Sequence, residues 1–401
     1  MSNLYAALEI GTSRTVLAIG EPANDGRLRI TGHAEIPSTG VRKSQIIDIR
    51  EATQSIRSVL QQIARQEDAF GSKVTIGNAF LAVSGQHIKA DPFSGPAQVE
   101  SSRVGSNEID EAVRAAHAMT LPKDRELLDI IDQDFVLDGF GGISDPKGMA
   151  GRILKLNTLQ IHADRNRIQD ARTAAENAHL EIREPLFAVT CAADAVLADH
   201  EKKNGALVID LGGGSTGYAV YMDGYAIATG ALGIGGDHVT NDIAHAFQTT
   251  NAQAEGLKTE EASAIVRPLD DSSARVHVER GESTLMQNRT ISRRALDTVV
   301  NARLMELFAV IREILEEQDL LHRLHAGVVL TGGGARMRDV ATLAEQALGV
   351  PVRIGRPNNV DGLEDVEFPA AYSTIAGVLL YAAHNYEEKS FLDFFFRRSG
   401  K

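Results

Sequence analysis

Residues 205–221, GALVIDLGGGSTGYAVY, set two short apolar runs on either side of three consecutive glycines. Ala206 to Ile209 predicts one strand and Tyr218 to Tyr221 the next, with Gly212, Gly213 and Gly214 as the turn between them. A turn without Cβ atoms can bring its N–H groups up to a phosphate at distances that side chains forbid. Asp210 ends the first strand, and a carboxylate beside bound phosphates makes electrostatic sense only if Mg²⁺ lies between them. Ser215 and Thr216 add hydroxyl donors to the same turn.

The arrangement recurs near the N-terminus. Residues 5–19, YAALEIGTSRTVLAI, repeat the apolar strand, a carboxylate at Glu9, a turn of Gly11, Thr12 and Ser13, and a second apolar strand. Each copy runs into a third strand-like segment, Arg27 to Ile36 or Tyr225 to Leu232, so each half-chain starts with a candidate meander. Glu9 and Asp210 can then face one phosphate tail from opposite sides. A third glycine turn, Gly332 to Gly334, follows the buried-strand pattern 326–331 and precedes helical periodicity from Arg336 to Leu348, which offers a helix N-terminus to a nucleotide. Neither the GxGxxG of a dinucleotide fold nor the GK[ST] of a P-loop is present at these turns.

LEIGTS, VIDLGGGSTGYAVY and VLTGGGARM, in that order, resemble the two phosphate motifs and the adenosine motif of the actin and sugar-kinase ATPase superfamily. Within it the chain is similar to the FtsA family of bacterial cell-division proteins. Residues 80–88 (FLAVSGQHI), Gly236 with 239–247 (VTNDIAHAF), and 352–357 (VRIGRP) add to that likeness, which spans nearly the whole chain. The resemblance implies an α/β, actin-like two-domain ATPase fold of duplicated ribonuclease-H-like halves, with an inserted 1C-type subdomain and a C-terminal amphipathic helix. It implies subdomain 1A at 1–84 and 164–198, 1C at 85–163, 2A at 199–232 and 324–384, 2B at 233–323, and a link and membrane-targeting tail at 385–401. ATP and Mg²⁺ are expected between the halves, with Mg²⁺ held through water by Asp210 and Glu9.

The same likeness assigns nucleotide contacts to Gly236, Gly332, Gly333, Gly334, Arg336 and Met337. It makes Glu255 and Lys258 candidates for ribose and adenine contacts; one helical turn apart, they are equally a solvated ion pair. Glu184 matches a position that orients the attacking water in several superfamily members, while Glu184-Pro185 is also an ordinary helix start. Hydrolysis is expected to be slow or absent.

Composition sets limits. A net charge of −13 argues against nucleic-acid binding. A single cysteine, Cys191, excludes internal disulfides and fits a reducing cytosol. No secretory signal opens the chain and no apolar run is long enough to span a bilayer.

Further elements are expected in chain order. Ile46 to Gln66 has a helical apolar face, and Lys73 to Ser84 fits a buried strand. Asp91 to Val104 has the composition of a loop; a helix capped by Asn107 and strands at Glu126–Leu137 and Gly151–His162 complete the insert. By resemblance this insert contacts other division proteins; a decorative insertion is the plainer alternative. Val266 to Thr290 is polar and suggests a hairpin, and Leu296 to Leu321 a long helix. The family's 2B subdomain receives the C-terminal peptide of the tubulin-like protein FtsZ, and Arg303 matches a basic position there, with Arg293 and Arg294 nearby.

Tyr372 to His384 predicts an apolar helix, Asn385 to Ser390 a polar link, and the segment beyond it a membrane anchor. Phe391, Leu392, Phe394, Phe395 and Phe396 supply apolar surface, and Arg397, Arg398 and Lys401 supply charge for anionic headgroups. Burying those rings yields several kcal/mol at roughly 25 cal/mol per Å². The functional expectation is an ATP-binding protein that self-associates into filaments and tethers FtsZ to anionic lipids on the inner face of the cytoplasmic membrane at the division site. The alternatives are an actin-like pilus-assembly ATPase and a sugar-kinase-type phosphotransferase; a kinase would need a substrate pocket with a general-base carboxylate near the terminal phosphate.

Overall fold

Three strands open the chain: β1 (Tyr5–Ile10), β2 (Arg14–Pro22) and β3 (Leu28–Pro37) form an antiparallel meander that sets Glu9 opposite Val16. The computed structural model describes residues 4–23, 25–66, 76–266, 275–278 and 289–398, with 277, 278, 289 and 386–398 as backbone alone. A two-residue hairpin tip joins β4 (Val41–Arg42) to β5 (Gln45–Ile46). Helix α1 (Ile49–Arg65) follows, its N-terminus capped by the Asp48 carboxylate, which accepts from the Arg50 and Glu51 amides. Its apolar stripe of Ile56, Val59 and Ile63 packs on the meander. β6 (Asn78–Val83) then lies parallel to β1.

The chain next leaves the sheet to build a small module with its own core. It comprises β7 (Lys89–Gln98), α2 (Ser106–His117), β8 (Arg125–Leu137), β9 (Phe140–Ile143) and β10 (Ile153–Asp164), in sheet order β7-β10-β8-β9. Ala97, Ala112, Ala116, Leu137, Leu154 and Leu156 form that core. From Asp91 onward β7 runs through the segment expected to be a loop. Pro92 and Pro96 suggest a break, but β7 is an edge strand with one neighbour, and two prolines four residues apart can both turn their missing donors outward.

Helix α3 (Arg165–Asn177), capped by Asp164, brings the chain back to β11 (Glu181–Phe187), parallel to β6, and on through α4 (Ala188–Val196) and α5 (Asp199–Asn204). Glu184 therefore sits on a strand and not in the first turn of a helix.

The second half repeats the first. β12 (Ala206–Leu211), β13 (Thr216–Met222) and β14 (Tyr225–Leu232) form a meander with Asp210 opposite Gly217. α6 (Gly236–Ala246) and α7 (Asn251–Gly256) come next, and α7 runs into a π-helical turn, Leu257–Glu261. β15 (Arg275–Val278) and β16 (Arg289–Ser292) pair antiparallel, as the hairpin expectation requires, before α8 (Arg293–Glu317). β17 (Gly327–Thr331), α9 (Val340–Leu348), β18 (Val352–Ile354), β19 (Val360–Asp361) and α10 (Ser373–Arg398) complete the described chain. The two sheets run β11-β6-β1-β2-β3 and β18-β17-β12-β13-β14, with the same parallel and antiparallel senses; β19 extends the first beside β3.

Helix α10 packs into the core of the first half. Its Ile375, Val378, Leu379 and Ala382 are buried in the first half, against α4. A Cβ on Gly377 would run into the Cys191 backbone, so glycine is what lets the two helices touch. The expected link at Asn385–Ser390 is continuous helix instead. Those six residues contain no glycine or proline, so their polarity does not break the helix. The side chains of Phe391, Leu392, Phe394, Phe395, Phe396, Arg397 and Arg398, and all of Lys401, lie outside the described residues. Among the described residues, no helix is long and apolar enough to cross a membrane.

Candidate functional site

The ends of β1 and β12 open into two turns with the same wiring. The Gly11 amide donates to the Arg14 carbonyl at 3.0 Å, and the Gly212 amide donates to the Ser215 carbonyl at 3.0 Å. The turns face each other closely: a Cβ on Gly213 would lie 2.7 Å from Ser13 Oγ, and one on Gly214 would strike Thr12 Oγ1 and the Lys43–Ser44 backbone. Glycine at these two positions is thus a condition of the halves meeting. The N-terminus of α6 backs the second turn, with Gly236 N–H donating to Gly212 O at 2.9 Å and Asp237 N–H to Gly213 O at 2.8 Å.

Together with the third turn, Gly332–Gly334, these segments enclose a cleft of about 520 Å³. Glu9, Gly11, Thr12, Ser13, Asp210, Gly212, Gly213, Gly214, Ser215, Gly236, Glu255, Lys258, Gly332, Gly333, Gly334, Arg336 and Met337 all line it. Such a wall of backbone amides, hydroxyls and helix N-termini favours an anion.

Two carboxylates oppose that anion field. Glu9 and Asp210 are both raised in pKa chiefly by burial, Glu9 to about 7 with Asp210 and Glu35 adding to the effect and Arg14 opposing it. Glu9 Oε2 is buried without a hydrogen-bond partner among the described residues. Asp210 Oδ2 accepts from Thr374 Oγ1 at 3.2 Å. Paired, desolvated carboxylates with an unfilled acceptor suit a hard cation or its waters. Among the described residues no group of three His, Cys, Asp or Glu side chains is placed to hold a metal, so a cation here would complete its shell with water and ligand oxygens.

On the far side of the cleft, Lys258 donates to Glu255 Oε2 at 2.7 Å, to Thr240 Oγ1 at 2.9 Å and to Gly236 O at 3.3 Å. The expected ion pair is real, but it is locked into the cleft wall and Lys258 is buried. Arg336 pairs with Glu367 at the cleft mouth.

Two expected residues are not brought to the cleft. Thr216 is fully buried and its hydroxyl donates to the Ile234 carbonyl at 2.7 Å. Glu184 Oε1 instead accepts from the Tyr381 hydroxyl at 3.0 Å and does not line the cleft. Conversely, Arg14, His33, Glu35, Ser44, Tyr372 and Thr374 line the cleft without any sequence expectation. Arg14 pairs with Glu35, donates to the Ala371 carbonyl and lies 4.8 Å from the Tyr372 ring centre; burial and Glu35 push the Tyr372 phenol up to about 12. Arg14 adjoins the first phosphate turn, a signal that could have been used.

The arginines assigned to a peptide partner are engaged at home. Arg303 grips Asp242 through Nε at 2.6 Å and Nη2 at 3.1 Å and also reaches Glu306, and Arg293 pairs with Glu261. Arg294 shares the first turn of α8 with Arg293.

Comparison with known proteins gives a consistent picture. The family model described as "Cell division protein FtsA" matches residues 207–377, and that described as "SHS2 domain inserted in FTSA" matches residues 85–162. The cell division protein FtsA of Pseudomonas aeruginosa is 32% identical over 379 residues, covering 94% of this chain and 89% of the relative. Among solved structures, the PilM-PilN type IV pilus biogenesis complex superposes with a TM-score of 0.66 at 18% identity, over 94% of this chain and 98% of that one. MreB5 of Spiroplasma citri bound to ADP superposes with a TM-score of 0.57 at 13% identity, over 97% and 98%. At such identities the last two show a shared fold.

Proposed function

The chain belongs to the FtsA family of cell division proteins and has an actin-like fold, and on that footing we propose that it binds ATP with Mg²⁺ between its halves and ties FtsZ filaments to the cytoplasmic membrane. The observation that carries the nucleotide part is the convergence of two identically wired turns and a triple-glycine turn on one cleft that also holds Glu9 and Asp210.

The residues present fit the cofactors. Backbone amides of 12–13 and 213–215 would receive the phosphates, the Glu255–Lys258 pair the ribose and base, and Gly332–Met337 the adenine side. Mg²⁺ would be held through water by Asp210 and Glu9, neutralising charge on the phosphate oxygens. With Glu184 turned to Tyr381, no described carboxylate on that strand is aimed at an attacking water, which supports slow turnover.

The tether is carried by α10 and the aromatic, basic segment 391–401 at its end, which the sequence equips for anionic lipid. The 2B face around Arg303 would take the acidic FtsZ C-terminal peptide, and the insert at 85–163 other division proteins. Self-association into filaments completes the proposal.

The test is co-sedimentation with anionic vesicles of the full chain and of a chain ending at His384, each with FtsZ present. Pelleting of FtsZ only with the full chain supports the tether. Equal behaviour of the two chains refutes it.

A further inference from the structure

The hairpin 41–46 is not part of either phosphate turn, yet its tip touches both. The Ser44 amide donates to Thr12 Oγ1 at 2.8 Å, and Ser44 Oγ lies 2.8 Å from Ser215 Oγ. Ser44 thus joins the first half to the second at the wall of the cleft. Its backbone is held under strain to do so: Lys43 and Ser44 have φ of 49° and 57°, where a two-residue hairpin tip ordinarily takes Asn-Gly. Positions of this kind persist where the surroundings over-determine them, and here those surroundings are the two glycine turns that Ser44 bridges.

The same tip borders the root of the inserted module. A Cβ on Gly85, where the insert begins, would lie 3.3 Å from the Ser44 Cβ, and Gly85 itself has a φ of 123°. Ser84 lines the cleft and also a small cavity of about 30 Å³ between the hairpin, the end of β6 and α3. His87, just inside the insert, and Arg167 and Ala171, just after it, line that cavity too. Both strands of chain that attach the insert therefore flank β4 and β5.

We infer that Ser44 passes the phosphate occupancy of the cleft to the root of the insert, so that the insert's orientation differs between the triphosphate and diphosphate states. This rests on the nucleotide reading of the cleft given above. A terminal phosphate seated between the Thr12 and Ser215 hydroxyls offers Ser44 a charged acceptor in place of a neutral one, and charge-assisted bonds are the stronger. With the diphosphate, Ser44 keeps Ser215. The hairpin tip sits differently in the two cases, and Gly85, packed against the Ser44 side chain, has to follow. On this inference the ligands bias the position of the hairpin by their differential contact with one side chain.

The experiment uses the full chain with Mg-ATP or Mg-ADP. It combines competition binding against a fluorescent nucleotide with hydrogen–deuterium exchange of peptides spanning 76–90, in wild type, Ser44→Ala and Ser44→Gly. Glycine suits the left-handed backbone and serves as the second variant if alanine disturbs folding. The expected result is nucleotide-dependent exchange at 84–90 in the wild type, lost in both variants, with ATP affinity falling about fivefold more than ADP affinity. Identical exchange of wild-type 84–90 with the two nucleotides overturns the inference. So does a variant that keeps both the exchange difference and the ATP preference. If the wild type binds neither nucleotide, the nucleotide reading falls and this inference goes with it; if it binds both, only the Ser44 role is at stake.

Discussion

Thr374 Oγ1 donates to Asp210 Oδ2 across 3.2 Å, which ties the carboxylate at the end of β12 to the first turn of α10. The carboxylate proposed to serve the nucleotide thus shares one hydrogen bond with the C-terminal helix. Asp210→Asn keeps the shape and removes the charge proposed to hold Mg²⁺. We expect the gain in ATP affinity on adding Mg²⁺ to shrink at least tenfold, read by titration of a fluorescent ATP analogue with and without the metal. Thr374→Val removes a bond to a carboxylate and should lower stability by about 1–2 kcal/mol; an unchanged melting temperature would contradict it.

Acid sensitivity should trace to His87. Burial, the largest influence, lowers its pKa from 6.5 to about 4, and its Nδ1 is buried with no hydrogen-bond partner among the described residues. As pH falls, the unfolded chain takes up this proton before the folded one does. Stability is therefore unaffected by His87 above pH 6.5 and is lost progressively from there down to about 4, by at most about 3 kcal/mol. His87→Gln should flatten that part of the curve, as followed by urea unfolding at stepped pH; an equally steep curve in the variant would assign the sensitivity elsewhere.

Gly377→Ala should separate α10 from α4. The added methyl meets the Cys191 backbone, which cannot step aside as a side chain can. Overpacking of this sort costs roughly 1–3 kcal/mol, and calorimetry that shows no loss would mean that the helix crossing is looser than described.

Arg303 offers a test by opposites. Asp242 and Glu306 already occupy its guanidinium. If the arginine serves an acidic peptide, Asp242→Ala should free it and tighten binding severalfold, while Arg303→Ala should weaken binding by a similar factor. Fluorescence anisotropy with an FtsZ C-terminal peptide decides; loss in both variants would show that the pair is needed only to shape the subdomain.

Glu184→Gln should leave any ATP turnover within about twofold of wild type, because the carboxylate is held by Tyr381 and does not line the cleft. A drop of a hundredfold in a phosphate-release assay would restore its water-positioning role.

The two turns proposed to hold phosphate are legible in the sequence because their chemistry is local. A carboxylate, a glycine turn and hydroxyls must lie within a few residues of one another, and Glu9–Ser13 and Asp210–Ser215 do. What was not legible is made by tertiary contact. Ser44 gains its place only when β4–β5 folds over both turns, and Glu35 and Tyr372 reach the cleft from strands and turns far along the chain. β7 was hidden by Pro92 and Pro96, whose cost vanishes at a sheet edge. Thr216 shows the converse error: a hydroxyl inside a phosphate motif can be wholly spent on a neighbouring carbonyl.

The unbroken α10 has one more consequence. Twenty-six helical residues span roughly 39 Å as a single rod, so rotation as well as distance is transmitted along it. One extra residue inserted within 385–390 would lengthen the rod by only about 1.5 Å yet swing everything beyond it through about 100°. A leash would ignore such a change, whereas a crank cannot.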